Sequence, residues 1–146
     1  MSKIRKLLET KGSHVWSVQP DDTVFSAIKI MDEKGIGALA VLSGDKLVGI
    51  VSERDCARRV ILEKMSAEET PVKEIMTKDV FYTHLEQTVN DCFAVMSERH
   101  IRHLPVIDNG KLLGMISIGD LVKDVIAEQQ FKIDNLEHTL SWGESY

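Results

Sequence analysis

The hydrophobic pattern of this chain switches between helical and strand periods, and it does so twice in the same order. Residues 3–11 carry Ile4, Leu7 and Leu8 on one helix face and stop at Gly12. A short strand is predicted at Val15-Trp16-Ser17-Val18, before Pro20-Asp21-Asp22. Residues 23–34 space Val24, Ala27, Ile28 and Met31 along one face of a helix that Gly35 ends. Two strands, 38–42 and 47–51, are joined by a turn at Ser43-Gly44-Asp45, and a helix over 53–65 opens behind Ser52. The second round predicts a strand at Val80-Phe81-Tyr82, a helix over 88–99, and strands at 103–107 and 112–116. Between the last two strands lies Asn109-Gly110, a pair suited to the positive φ angles of a two-residue hairpin. A final helix from Ile118 is predicted to run as far as Leu140, with Val122, Val125, Ile126, Ile133, Leu136 and Leu140 near one face. It outlasts its counterpart, so its far end should cover either the chain's own core or a second subunit.

The two rounds are an internal duplication at a fixed separation of 65 residues. Gly49-Ile50-Val51-Ser52-Glu53-Arg54-Asp55 returns as Gly114-Met115-Ile116-Ser117-Ile118-Gly119-Asp120. Thr23, Met31, Leu39, Val41 and Leu47 likewise meet Thr88, Met96, Leu104, Val106 and Leu112. Each copy reads strand, helix, strand, strand, helix, an α+β unit with its helices on one face of a short sheet. Pro71 cannot continue a helix and marks the boundary. It divides the chain into 1–70, an N-terminal helix with the first repeat, and 71–146, the second repeat with the C-terminal helix. Units of about 65 residues are marginal alone and should pack on each other.

In each copy an apolar strand ends at a Ser, and an Asp follows three residues later. The Ser is placed to cap a helix N-terminus. Free N–H groups there can hold an anion, and the nearby carboxylate can accept hydrogen bonds from a sugar diol. A nucleotide carries both groups. Ser-x-x-Asp is also close to the capping box, in which the two side chains satisfy the N–H groups of their own helix and bind nothing else.

Composition narrows the classes of partner. The 146 residues include 18 Lys and Arg against 23 Asp and Glu, a net charge of −5, with no basic block to track a nucleic-acid backbone. No apolar run approaches the roughly 20 residues that cross a bilayer. Residues 1–9 lack the apolar centre of a secretory signal, and Cys56 and Cys92 form no C-x-x-C pair, so a cytoplasmic location with two packed thiols is expected. His100-x-x-His103 has one spacing a metal site could use, but Glu98 and Asp108 complete no ligand set, and no metal is expected. Nothing matches a P-loop, a G-x-G-x-x-G turn, a nucleophile elbow or a zinc array, which points away from an enzyme and names no catalytic residue.

The tandem units, their G-h-h-S-x-x-D ends (h apolar), Ile101-Arg102-His103-Leu104-Pro105-Val106 and Val72-Lys73-Glu74-Ile75-Met76-Thr77 together resemble a CBS-domain pair, the cystathionine-beta-synthase-type repeat known as a Bateman module. The resemblance runs from about Val15 to Glu128 and is to the stand-alone bacterial type. It implies an adenosine nucleotide, AMP, ATP or NAD(H), held without catalysis in clefts between the repeats of a homodimeric sensor that acts on an unidentified partner protein. By the same resemblance Asp55 and Asp120 would take ribose hydroxyls, and Ser52 and Ser117 ribose or phosphate. Strand residues 38–40 and 103–105, with Ala38, Ala40, His103 and Pro105, would offer backbone groups to adenine. Thr77, Lys78 and Val80 would line the edge of the second cleft, as Ser17 would the first.

The copies differ in charge. Arg54 and Arg58 of the first become Gly119 and Lys123, while Gly37 and Ala38 become Arg102 and His103, so two occupied clefts should not bind one ligand equally. The alternative reading is a protein-interaction module whose clefts hold no ligand.

Overall fold

Thr23 and Thr88 each cap a helix in the computed structural model, which describes residues 2–144 and side chains through His138. Met1, residues 145–146 and the Leu140 side chain lie outside the described residues. The Thr23 hydroxyl accepts the Ser26 N–H and opens α2 (Val24–Lys34), which Gly35 closes in the left-handed region at φ 63°. Thr88 does the same for α4 (Val89–Arg99), with Asp91 reaching back to the Thr88 N–H to complete a capping box. In the first repeat, β2 (Ala38–Ser43) and β3 (Lys46–Ser52) form an antiparallel hairpin, and β1 (Ser17–Val18) lies parallel to β2. In the second, β4 (His103–Asp108) and β5 (Lys111–Ser117) pair in the same register, 65 residues on, and the slip between Val41 and Leu42 recurs between Val106 and Ile107. Asn109 and Gly110 turn this hairpin with φ of 51° and 75°, as the sequence predicts. Each repeat is thus α+β.

The first strand of the second repeat is shorter than predicted. Val80-Phe81-Tyr82 is not a strand; the pairing is reduced to Thr83 beside Val106, the counterpart of Val18 beside Val41. Phe81 and Tyr82 are both exposed, so no buried face holds them in a sheet. The helix predicted over 53–65 is also broken. It runs as α3 (Glu53–Ala57), continues as a π-helical turn at Arg58–Leu62, and stops at Lys64 with φ 55°. Ile28, predicted to face the core, is 37% exposed and outside that core, whereas Ile30 packs against it.

Packing crosses the division at Pro71 in both directions. Helix α1 (Ile4–Lys11) buries Ile4, Leu7 and Leu8 in the second repeat, against Val89, Cys92, Met96, Leu104, Val106, Ile116 and Leu121. Its backbone is tied there by Ile4 N–H to Gln87 C=O and Arg5 N–H to Leu85 C=O. Conversely Val72 and Ile75, from the segment that leads into the second repeat, complete the first repeat's core with Val18, Leu39, Val41 and Val51. Each repeat is therefore closed by the segment that leads into the other. Two glycines record this exchange. A Cβ at Gly49 would meet Met76 Sδ at 2.6 Å and Thr77 O at 2.9 Å, while one at Gly114 would meet Leu8 Cδ2 at 2.8 Å.

The last helix, α5 (Ile118–Glu144), buries Leu121 and packs Val125 against the second core. Beyond that turn Ile126, Phe131, Ile133 and Leu136 are exposed, so its described far part covers none of the chain's own core.

Candidate functional site

The exchange of leading segments brings the two repeats together around a cavity of about 230 Å³. From the first repeat come Gly37, Ile50 at the end of β3, and Ser52, Glu53, Arg54, Asp55 and Arg58 at the start of α3 and the π turn. From the second come Thr77, Asp79, Val80 and Phe81 ahead of α4, then His100 to Arg102 ahead of β4 and His103 at its start. Thr77 is fixed by a backbone pair with Ile50, Thr77 N–H to Ile50 C=O at 2.8 Å and Ile50 N–H to Thr77 C=O at 3.0 Å. Gly37 leaves room for the imidazole of His103, which would stand 3.4 Å from a Cβ at that position.

The Ser52 hydroxyl accepts the Asp55 N–H at 3.2 Å and donates to Asp55 Oδ2 at 2.9 Å. It therefore caps the helix and orients the carboxylate with one group. Among the described residues, Arg54, Arg58 and Arg102 enter no ion pair. Three arginines and three carboxylates, Glu53, Asp55 and Asp79, thus surround the cavity. Phe81 at its wall carries the Arg99 guanidinium 4.6 Å from its ring centre. Trp16, its counterpart in the first repeat, carries Lys34 at 4.3 Å, and the cations too are 65 residues apart.

Asp120 is in a different state. Ser117 N–H donates to Asp120 Oδ2 at 2.8 Å and Asp120 N–H donates to Ser117 Oγ at 3.1 Å, a reciprocal capping box. Lys11 Nζ, from the end of α1, lies 2.5 Å from the same Oδ2 and also donates to the Met115 carbonyl. Burial pushes the Asp120 carboxyl up, but the hydrogen bonds from Lys11 and Ser117 outweigh it and hold it below the usual carboxylate range. Burial, and after it the Lys11 charge, push His103 below the ordinary imidazole range. Cys56, beside Asp55, is buried and free, its thiol pushed up to about 11 by burial and then by Asp55.

Of the residues singled out from sequence, Ser52, Arg54, Asp55, Thr77, Val80, Arg102 and His103 meet at this one cavity. Thr77 and Val80 lie with Asp55, not at the edge of a cleft around Asp120, because residues 72–77 close the first repeat. Arg102 and His103 likewise join Arg54 and Arg58, so the two basic pairs serve one cavity. Ala38, Ala40, Lys78 and Pro105 do not line it. Ala38 and Ala40 are buried in the sheet, and the Pro105 carbonyl accepts the Thr83 N–H. Ser117 and Asp120 do not line the cavity; they are bonded to each other and Asp120 to Lys11, whose charge reaches His103. The sequence reading missed Gly37, Ile50, Glu53, Asp79 and Phe81; the aromatic–cation pairs repeated 65 residues apart were the available signal for Phe81.

Among the described residues, no group of three or more His, Cys, Asp or Glu is placed to hold a metal, and no helix is long and apolar enough to cross a membrane.

Comparison with known proteins agrees with this geometry. The family model of the CBS domain matches residues 9–62 and again 72–127. A protein with CBS domains from Burkholderia ambifaria MC40-6 is 50% identical, with a TM-score of 0.85 over 88% of this chain and 96% of that one. The CBS domain-containing protein CBSX3, mitochondrial, of Arabidopsis thaliana is 36% identical over 90% of this chain. The chain spans 66% of that relative's length, and 23% of a second Arabidopsis relative, CBSCBSPB1. The CBS domain pair of protein MJ0100, 22% identical with a TM-score of 0.77 over 88% of this chain and 98% of that one, shares the fold and is known in complex with 5′-methylthioadenosine and S-adenosyl-L-methionine. With two matched repeats, an exchanged core and a cavity at their junction, the chain belongs to the CBS-domain family as a tandem pair.

Proposed function

We propose that this pair is a non-catalytic sensor of an adenosine nucleotide, AMP, ATP or NAD(H), bound at the Asp55 cavity. The observation that carries the reading is the Asp55 carboxylate: oriented by Ser52, it shares a cavity with three arginines that enter no ion pair among the described residues. Asp55 accepts the ribose diol, and Arg54, Arg58 and Arg102 take the phosphates in charge-assisted hydrogen bonds. The cavity is smaller than the roughly 300–1,000 Å³ of sites that enclose a drug-sized ligand. It suits a nucleoside, with the charged remainder at the exposed arginines. That MJ0100, of the same fold, binds two adenosine derivatives supports the ligand class.

The module acts in the cytoplasm as a homodimer, and a partner protein reads its ligand state. The exposed apolar residues of α5 support the dimer. Division into repeats at 70/71 describes the order of the chain, not its packing. Titration calorimetry with AMP, ATP and NADH tests the ligand reading: saturable binding of at least one is expected, and no heat with any of the three overturns it.

A further inference from the structure

The pseudo-symmetry of the pair gives Asp120 the place that Asp55 has in the first repeat, yet their surroundings differ, and one difference bears on access. At the open cavity the Ile50 carbonyl accepts a backbone N–H from Thr77, and among the described residues Asp55 enters no ion pair. At the other position the carbonyl of Met115, Ile50's counterpart, accepts from Lys11 Nζ, which also pairs with Asp120 Oδ2. Lys11 is held there by its helix. Leu8 packs on Gly114, and Glu86 pairs with both Lys3 and Arg5 at 2.9 and 2.6 Å. The 65-residue offset makes Trp16 the counterpart of Phe81, and like Phe81 it carries a cation over its ring, Lys34 at 4.3 Å.

We infer that Lys11 is a built-in occupant of a second adenosine site, closing the ribose-accepting carboxylate of Asp120, and that withdrawal of the end of α1 uncovers that site. The inference rests on the reading of Asp55 and adds a regulation to it. A ligand entering at Asp120 must displace a charge-assisted pair, which weakens binding there by on the order of tenfold to a hundredfold relative to an unplugged site. Helix α1 is thereby a regulatory element: whatever draws it away makes a one-site module a two-site one.

Lys11 is exposed and lies in the last turn of α1, while Ile4, Leu7 and Leu8 hold that helix in the core. Lys11→Met keeps the stem and its helix propensity and removes the charge. Lys11→Arg keeps the charge. AMP, ATP and NADH are titrated by calorimetry into the full chain and both variants, with Trp16 fluorescence followed in a Trp142→Phe background. One equivalent per chain in the wild type and Lys11→Arg, with two in Lys11→Met and a Trp16 change only on the second, is the expected result. One equivalent in all three leaves the Asp55 site standing and overturns the plug, as does a wild type that already takes two equivalents of similar affinity. No binding in any variant overturns both readings.

Discussion

Ser52 Oγ touches Asp55 twice, donating to its carboxylate and accepting its backbone N–H, so cap and candidate ribose acceptor share a single hydroxyl. Ser52→Ala should cost about 0.5–2 kcal/mol of stability and also weaken nucleotide binding, because the carboxylate loses its orientation. Ser117→Ala should carry a similar stability cost with binding unchanged. Urea unfolding and calorimetry on both variants check the contrast; equal binding losses would count against an Asp55-centred site.

The close approach at Gly49 involves the backbone of Thr77, a cavity residue, whereas that at Gly114 involves only the end of the Leu8 side chain. Gly49→Ala should therefore destabilise by about 1–3 kcal/mol and displace Thr77 from the cavity. Gly114→Ala should be milder for the fold and act on the seating of α1. Unfolding midpoints that rank the two the other way would contradict this packing.

Acid should loosen α1. The Asp120 carboxyl is held below its ordinary value by Lys11 and Ser117, after burial has pushed it the other way. Glu86 is lowered to about 2 by the hydrogen bonds from Lys3 and Arg5. A group with a lowered folded-state value adds stability that is complete above its unfolded value, about 3.9 for Asp, and is lost as pH falls through the folded one. Between pH 5 and pH 2, roughly, the wild type should lose stability more steeply than Lys11→Met, in which part of the Asp120 lowering is gone. Urea midpoints across that range measure the difference, and parallel curves would remove Lys11 from the account.

The described far part of α5 presents Phe131 at 67% and Leu136 at 64% exposure. Light scattering at micromolar concentration should give twice the chain mass of 16.4 kDa. Phe131→Glu should shift the population toward one chain, and a wild-type monomer would contradict the dimer.

Local pattern made most elements legible. The 65-residue offset, the threonine caps, the Asn109-Gly110 turn and the paired hairpins are all short-range features, and each is found at its place. The Ser-x-x-Asp motif was legible as a repeated helix start but not as two different hydrogen-bonding states. Nothing within a few residues of Asp120 signals that Lys11, over a hundred positions earlier, sits on it. Nor does periodicity show that Leu7 and Val72 each belong to the other repeat's core, since each helix face reads the same whichever repeat it covers. That exchange carried Thr77 and Val80 to the Asp55 cavity, where Arg102 and His103 also lie.

The Asp55 site itself is tested most directly by melting curves with and without AMP, ATP and NADH on the wild type, Asp55→Ala and Asp120→Ala. Ligand at about 100 times its dissociation constant should stabilise the wild type by roughly 2.7 kcal/mol, a shift of several degrees. Asp55→Ala should lose most of that shift, through a tenfold to hundredfold weakening or thereabouts, while Asp120→Ala keeps it. An Asp55→Ala protein that retains the full ligand-induced shift would reduce Asp55 to a helix-capping residue and contradict the account.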